Sequence, residues 1–231
     1  MTAVKCSPVQ AQALDFLRER FLSSDAMDAA ARSYRFRHTL RVAELGRRIA
    51  RAEGLSEDAL VVGCLLHDLA YSEVMPDEAA WRGHGRRSAA LARPFVETLA
   101  LPDADREALQ GNMPAFFISE GPLAIHVDDV SGFPGERSPL ACSIGDCDNL
   151  DRFDVYRVYE QLERVGFSTL DADAQRAFVA KAQAHLRHCE NAPVSTATAR
   201  ALWQDRLAFQ NEFYRRLSAQ LALETPFSVS L

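Results

Sequence analysis

Apolar residues recur at three- and four-residue steps along most of this 231-residue chain, and this spacing is the feature that most constrains its fold. In residues 35–53, His38 and the apolar side chains follow one helical face, while arginines occupy the others. Gly54 then supplies a helix end, and Ser56 supplies an N-cap for the next helix. The same spacing predicts further helices over residues 9–22, 56–69, 84–99, 139–165, 171–190 and 195–224. Few segments alternate as strands do, so the sequence predicts an all-α fold.

The chain is long enough for one large domain with a substantial core. Apolar residues make up 48% and charged residues 25%, which is ordinary for a soluble globular protein. We predict a single helical domain over residues 1–231, in which residues from about 168 to 224 form an additional C-terminal helical layer. The long apolar stripe of the last helix leaves two interpretations open, a packing layer or the surface of a homodimer.

Charge and cysteine content argue against several classes of protein. The net charge is −6 and no run of Lys or Arg occurs, which argues against binding to nucleic acid. The five cysteines form no CxxC pair, which fits reduced thiols in a cytoplasm better than a disulfide framework. The sequence has neither a signal-peptide core nor an apolar run near the ~20 residues of a membrane span. We therefore expect a cytoplasmic protein without a membrane partner.

Two histidines and several aspartates occupy positions that an apolar core does not tolerate without compensation. His38 lies on the apolar face of its predicted helix, and His67 with Asp68 ends the apolar run "VVGCLLHD". Asp146 and Asp148 follow in "SIGDCDNLDRFD". A divalent cation would neutralise carboxylates and accept imidazole lone pairs, and this mixed ligand set suits Mn, Fe, Co, Ni or Zn. Adjacent helical residues diverge by about 100°, so His67 and Asp68 reach one ion only beside a helix end or in a relaxed last turn.

Three motifs in chain order read "RHTLRVAELGRRIA", "CLLHDLA" and "GDCDNLDRF". Together they resemble the successive motifs of the HD-domain superfamily of metal-dependent phosphohydrolases. The resemblance covers roughly residues 30–160 and implies that this part of the chain folds as the helical bundle of an HD core. Carried over position by position, it implies metal ligation by His38, His67, Asp68 and Asp148, with Asp146 as the alternative for the last ligand.

The same resemblance implies catalytic roles for Asp68 and His84. Asp68 would ligate the ion through one carboxylate oxygen and orient the attacking water through the other. His84, in "WRGHGRRS", would act as an acid or base, contact the substrate, or bind a second ion. Arg86 and Arg87 beside it would suit a phosphate, although a solvated helix face is an equally good interpretation of this pair.

Residues 111–139 are rich in Gly and Pro and predict a long irregular segment, a feature that is often functional inside a compact domain. Two-metal members of the superfamily place a further His after the position of His84, whereas the comparable position here is Asn112. His126, in "AIHVDDV", is a candidate replacement. We therefore expect one divalent transition metal ion, with a second ion left open.

The function that we predict is metal-dependent hydrolysis of a phosphate ester or anhydride in a nucleotide or another small phosphorylated molecule. A bound cation supplies hydroxide for this chemistry because it lowers the pKa of water to about 7 in favourable cases. The alternatives are an HD-fold di-iron oxygenase, an HD-fold zinc hydratase, and a non-catalytic HD module that binds a ligand. The sequence has no GxxxxGK[ST] or GxSxG motif and no GxGxxG after a strand, which removes several common nucleotide-binding and hydrolase classes.

Overall fold

The computed structural model describes residues 6–110 and 139–224, and every regular element within these ranges is helical. This confirms the predicted all-α fold. The elements are α1 (Pro8–Leu22), α2 (Ala29–Glu53), α3 (Glu57–Leu66), a 3-10 turn (Leu69–Ser72), α4 (Glu78–Arg82), α5 (His84–Val96), α6 (Asp103–Gln110), α7 (Pro139–Arg152), α8 (Val155–Arg164), a second 3-10 turn (Phe167–Thr169), α9 (Ala172–Cys189) and α10 (Ala197–Glu224). Among these helices, none is both long and apolar enough to cross a membrane.

Capping side chains set the helix boundaries in the first part of the chain. Ser7, Asp28 and Ser56 are the N-caps of α1, α2 and α3. Each of these side chains accepts a hydrogen bond from the backbone N–H three residues further on. α2 ends at Gly54, whose φ of 69° lies in the left-handed region. The predicted roles of Gly54 and Ser56 are therefore confirmed.

Three helix boundaries differ from those predicted. α2 begins at Ala29 instead of residue 35, because the Asp28 side chain caps the backbone there. The helix predicted over residues 56–69 ends at Leu66, and a 3-10 turn follows. The helix predicted over residues 139–165 is two helices, because Asp154 takes an extended conformation (φ −93°, ψ 173°) and caps α8.

The chain divides into two compact units, the first of which ends at Asp151 and also includes Val194–Ala199. α3 lies at the centre of this unit, since every residue from Ala59 to Leu66 is buried. α1, α2, α5 and α6 all contact α3, and the 3-10 turn that follows α3 contacts α1 and α5. This packing brings the end of α3 close to the two helices that carry His38 and His84.

The second unit comprises Arg152–Pro193 and continues from Arg200. Its core is partly aromatic, because the ring centroids of Phe153 and Trp203 lie 4.3 Å apart. Trp203 Nε1 donates a hydrogen bond to the carbonyl oxygen of Cys189, so this indole is both packed and satisfied. The domain limits and the homodimer stay predictions.

Close packing of α3 against α7 predicts that Gly63→Ala destabilises the protein. A methyl group at Gly63 would meet Ile144, at 3.1 Å from its Cγ1 atom, and would lie 3.2 Å from a Leu109 methyl group. Overpacking of this kind costs about 1–3 kcal/mol, which urea unfolding would measure as a loss of unfolding free energy. Ile144→Val removes the nearest methyl group, so the double variant should lose less stability than the sum of the two single variants. Simple additivity would show that the two side chains do not meet.

Candidate metal centre

His67 is fixed at the end of α3 by a hydrogen bond to the helix itself. Its Nδ1 atom donates to the carbonyl oxygen of Cys64 at 2.7 Å, and the side chain is fully buried. Because Nδ1 keeps its proton for this bond, Nε2 is the nitrogen that can present a lone pair. This Nε2 atom lies 3.5 Å from Asp68 Oδ1.

The backbone after α3 explains how adjacent side chains face one point. His67 keeps right-handed helical angles (φ −58°, ψ −35°), but Asp68 leaves them (φ −103°, ψ 17°) and the 3-10 turn begins. This change reduces the divergence that two neighbouring residues have on an ideal helix. The sequence analysis left two arrangements open, an ion beside the helix end or a relaxed last turn. The structure has the relaxed last turn.

α2 contributes His38 to the same point in the core. The ligand atoms of His38, His67 and Asp68 all lie within 4.8 Å of one another, and all three residues are buried. In the described part of the chain, both histidine Nε2 atoms and Asp68 Oδ1 are buried without a hydrogen-bond partner. An unsatisfied buried polar group costs about 1–3 kcal/mol, and more when it is charged. A cation would satisfy all three atoms at once, so this cluster could hold a metal ion.

α7 brings one of its two candidate aspartates to the cluster. Asp148 Oδ1 lies 3.1 Å from His38 Nε2 and 3.7 Å from His67 Nε2, and Asp148 is fully buried. Asp146 instead uses Oδ2 to accept a hydrogen bond of 2.9 Å from the backbone N–H of Ser195. The geometry therefore joins Asp148, rather than Asp146, to the cluster.

Burial and charge act in opposite directions on the cluster. Burial alone would lower the pKa of His67, but the Asp68 and Asp148 carboxylates raise it to about 9. Burial opposes the charge on Asp68, yet the positive charges around it, that of His67 first, hold the pKa of its carboxyl well below its usual range. For His38, the neighbouring carboxylates of Asp148 and Asp151 outweigh burial and raise the pKa. The Asp68 carboxyl is therefore ionised, and both imidazoles bind a proton more tightly than a histidine in water does.

Arg35 is a member of the site that the sequence analysis missed. Its Nη1 atom donates to Asp68 Oδ2 at 2.9 Å, and its guanidinium carbon lies 3.5 Å from the centre of the Tyr71 ring. Its side chain is 22% exposed, so it extends from a buried carboxylate towards solvent. The available signal was its position one turn before His38, which places both residues on the same side of α2.

Asp151 is a second residue that the sequence analysis left without a role. Its Oδ2 atom lies 2.7 Å from Nδ1 of His38, and both residues are buried. Arg41 donates to both oxygens of the same carboxylate, from Nε at 2.6 Å and from Nη2 at 2.9 Å. The signal lay in the spacing, since Asp151 follows Asp148 by three residues and Arg41 follows His38 by three residues.

His84, the first residue of α5, lies beside the cluster. Its Nδ1 atom donates to the carbonyl oxygen of Trp81 at 2.7 Å, and its Nε2 atom lies 3.6 Å from Asp68 Oδ1. The Tyr71 ring packs against His84 with 5.2 Å between ring centroids. The structure therefore brings this predicted residue to the site through the same carboxylate that Arg35 contacts.

Arg86 and Arg87, the other predicted catalytic residues, are exposed on the surface of α5. Arg87 donates to both carboxylate oxygens of Glu73, at 2.6 and 2.7 Å. This surface ion pair agrees with the second interpretation of Arg86 and Arg87 in the sequence analysis, a solvated helix face. Asn112 and His126 lie outside the described residues.

Comparison with known proteins gives a family and a fold. The HD domain family matches residues 35–152, just over half of the 231 residues, and this protein belongs to that family. The match includes all four predicted metal ligands. A crystal structure of a predicted HD superfamily hydrolase from an uncultured Thermotogales bacterium is similar over 91% of each chain, with a TM-score of 0.57 and 20% identity. At this identity the similarity shows a shared fold. The search of curated proteins found no match.

Substitution of a predicted metal ligand should greatly weaken metal binding. His38→Ala and Asp148→Ala are expected to weaken the affinity for Zn²⁺ or Mn²⁺ by well over the ~100-fold that loss of an outer hydrogen-bond partner can cause. Asp146→Asn is the matched control, because this aspartate bonds to Ser195 instead. Metal analysis after dialysis checks the result. Equal metal content in Asp148→Ala and in the wild type would contradict the ligand assignment.

Metal binding near pH 7 should release protons. His67, with a pKa of about 9, is protonated on both ring nitrogens at that pH. A dication must displace the proton on Nε2 in order to bind there. Calorimetric titration with Zn²⁺ in two buffers of different ionisation enthalpy should give at least one released proton per ion, because the pKa of His38 is raised as well. The affinity should rise as the pH increases from about 7 towards the pKa of this histidine. Equal heats in the two buffers would show that no such proton is displaced.

Proposed function

We propose that this protein is a metal-dependent hydrolase that cleaves a phosphate ester or anhydride in a nucleotide or another small phosphorylated molecule. Membership of the HD domain family supports a hydrolase of the HD type in general, as does a structural relative described as a predicted HD superfamily hydrolase. The observation that carries the proposal is the buried convergence of His38, His67 and Asp68 on one point.

The residues that would hold the ion are His38, His67, Asp68 and Asp148. Two imidazoles and two carboxylates suit one divalent transition metal, namely Mn, Fe, Co, Ni or Zn. Such an ion supplies Lewis acidity, which lowers the pKa of a bound water and polarises a phosphoryl oxygen. A second ion remains part of the hypothesis, and His84 beside Asp68 is the described residue best placed to serve it.

The charge of the site favours an anionic substrate. Three carboxylates, those of Asp68, Asp148 and Asp151, lie together with the guanidinium groups of Arg35 and Arg41. Addition of a dication to these groups leaves the region with a net positive charge. A phosphoryl group would therefore be attracted to the centre, and little water would screen the attraction in a buried site.

Arg35 and His84 flank the two oxygens of Asp68, and this arrangement supports their roles towards a phosphate. Arg35 contacts Oδ2 and is partly exposed, so its remaining N–H groups are suited to donate to phosphoryl oxygens. His84 keeps its Nδ1 proton on Trp81, which leaves Nε2 as the atom that exchanges a proton with a leaving oxygen. Tyr71 packs against both side chains and holds them in place.

A screen of phosphate release tests the proposed reaction. Protein loaded separately with Mn²⁺, Fe²⁺, Co²⁺, Ni²⁺ or Zn²⁺ is incubated with nucleotides and small phosphoesters, and inorganic phosphate is measured. We expect release that requires one of these ions and that is absent in His67→Ala. Loaded protein that releases no phosphate from any compound would overturn the proposal. In that case, two iron ions per chain would favour the oxygenase, and one ion without turnover would favour the ligand-binding module.

Arg35→Gln should weaken the binding of phosphate without removing the metal. Loss of a charge-assisted hydrogen bond of about 1.5–3 kcal/mol raises KM, and the inhibition constant of inorganic phosphate, by roughly 10–100-fold. Arg37→Gln is the matched control, because Arg37 is exposed on the same helix. Arg35→Lys should recover part of the loss. If Arg87→Gln raises KM and Arg35→Gln does not, the surface pair predicted from the sequence binds the phosphate instead.

A further inference from the structure

Two helices of the first unit, α2 and α7, face each other through two successive pairs of side chains (tiers), one nearer to the metal centre and one farther from it. α2 presents His38 to the cluster and Arg41 one turn later, while α7 presents Asp148 and then Asp151 one turn later. The nearer tier is the pair whose Nε2 and Oδ1 atoms lie 3.1 Å apart. The farther tier is the pair in which Arg41 donates to both oxygens of Asp151. A three-residue step keeps both tiers on one face of each helix.

The two tiers are joined through the ring of His38. Its Nδ1 atom lies 2.7 Å from Asp151 Oδ2, and its Nε2 atom is directed at the cluster. An ionised carboxylate only accepts hydrogen bonds, so Nδ1 must be the protonated nitrogen. The proton on one nitrogen fixes the lone pair on the other, which is the nitrogen available to a metal ion.

We infer that Asp151, held by Arg41, is a positioning residue of the metal centre that keeps the Nδ1 proton on His38 and thereby presents Nε2 to the dication. The inference rests on the proposed metal centre and adds two residues to it. Neither residue is assigned here as a ligand of the ion or as a contact of the substrate. Their effect is on the orientation and the tautomer of one ligand, which outer hydrogen-bond partners of metal-bound histidines control in other sites.

Burial distinguishes this pair from an ordinary surface ion pair. The Asp151 side chain is 6% exposed, and Arg41 covers it while remaining 33% exposed itself. Without Asp151, the Nδ1 atom of His38 would have lost its hydrogen-bond acceptor inside the core. The ring could then rotate or carry its proton on Nε2, and either change removes the lone pair from the cluster.

The test is the affinity of the purified full chain for Zn²⁺, measured by competition with a chelator. Asp151→Ala should weaken binding by about 10–100-fold. Asp151→Asn should recover part of this affinity, since its amide oxygen still accepts from Nδ1. Asp154→Ala is the control, because that carboxylate caps α8 and pairs with Arg206 instead.

A double-mutant cycle tests whether Arg41 acts through Asp151. Arg41→Gln alone should weaken Zn²⁺ binding, and it should have no further effect when it is added to Asp151→Ala. Arg37→Gln, on the exposed side of α2, should have no effect in either background. Equal effects of Arg41→Gln in both backgrounds would show that Arg41 does not act through this carboxylate.

Two further measurements separate positioning from a structural role. In protein with ¹⁵N-labelled histidine and bound Zn²⁺, the Nδ1 proton of His38 should be protected in the wild type and lost in Asp151→Ala. A structural role alone predicts lower stability against urea with unchanged Zn²⁺ affinity, and that outcome would overturn the inference. Unchanged affinity in Asp151→Ala overturns the positioning role only, whereas a wild type that binds no dication overturns both this inference and the proposed centre.

Discussion

The burial of ionisable side chains, each with one polar atom that has no hydrogen-bond partner among the described residues, is the constraint on which the rest of this structure depends. His38, His67 and Asp68 meet where α2 and the end of α3 pack inside the first unit, and water does not reach their inner atoms. Such groups persist in a core only when an opposite charge or a ligand compensates them. The apolar run of α3 makes the site dry, and the change of backbone conformation at Asp68 lets adjacent side chains share it. The packing of the helices and the chemistry of the site are therefore one arrangement.

Asp68 is the residue around which the two sides of the site are organised. Its Oδ2 atom accepts a hydrogen bond from Arg35. Its Oδ1 atom lies 3.5 Å from His67 Nε2 and 3.6 Å from His84 Nε2. Tyr71, three residues later in the 3-10 turn, packs against both Arg35 and His84. The turn after α3 thus supplies both the shared carboxylate and the ring that supports its neighbours. Because the turn begins at the residue after Asp68, a change in its conformation would disturb every one of these contacts.

The sequence predicted the fold and the inner cluster better than it predicted the supporting contacts. Helical spacing placed His38 on a buried face, and the HD motif placed His67 and Asp68 at a helix end, so local patterns were sufficient for these residues. Arg35, Arg41 and Asp151 were missed because their partners are distant in sequence. The contacts of Arg35 with Asp68 and of Arg41 with Asp151 span 33 and 110 residues. Charged residues beside a helical stripe usually face solvent, and periodicity does not reveal which of them meets a carboxylate from another helix.

The same electrostatics explain how the cluster can be assembled before an ion binds. Two buried carboxylates next to two neutral imidazoles would repel each other, and burial makes this repulsion costly. The raised pKa of His67, about 9, indicates that a proton on this imidazole adds positive charge beside the carboxylates at neutral pH. A dication that binds to His67 therefore replaces this proton, so the carboxylates have a positive charge beside them both before and after the ion binds. The fold can therefore hold the four side chains close together in both states, while the Arg41–Asp151 pair keeps His38 in one orientation throughout the exchange.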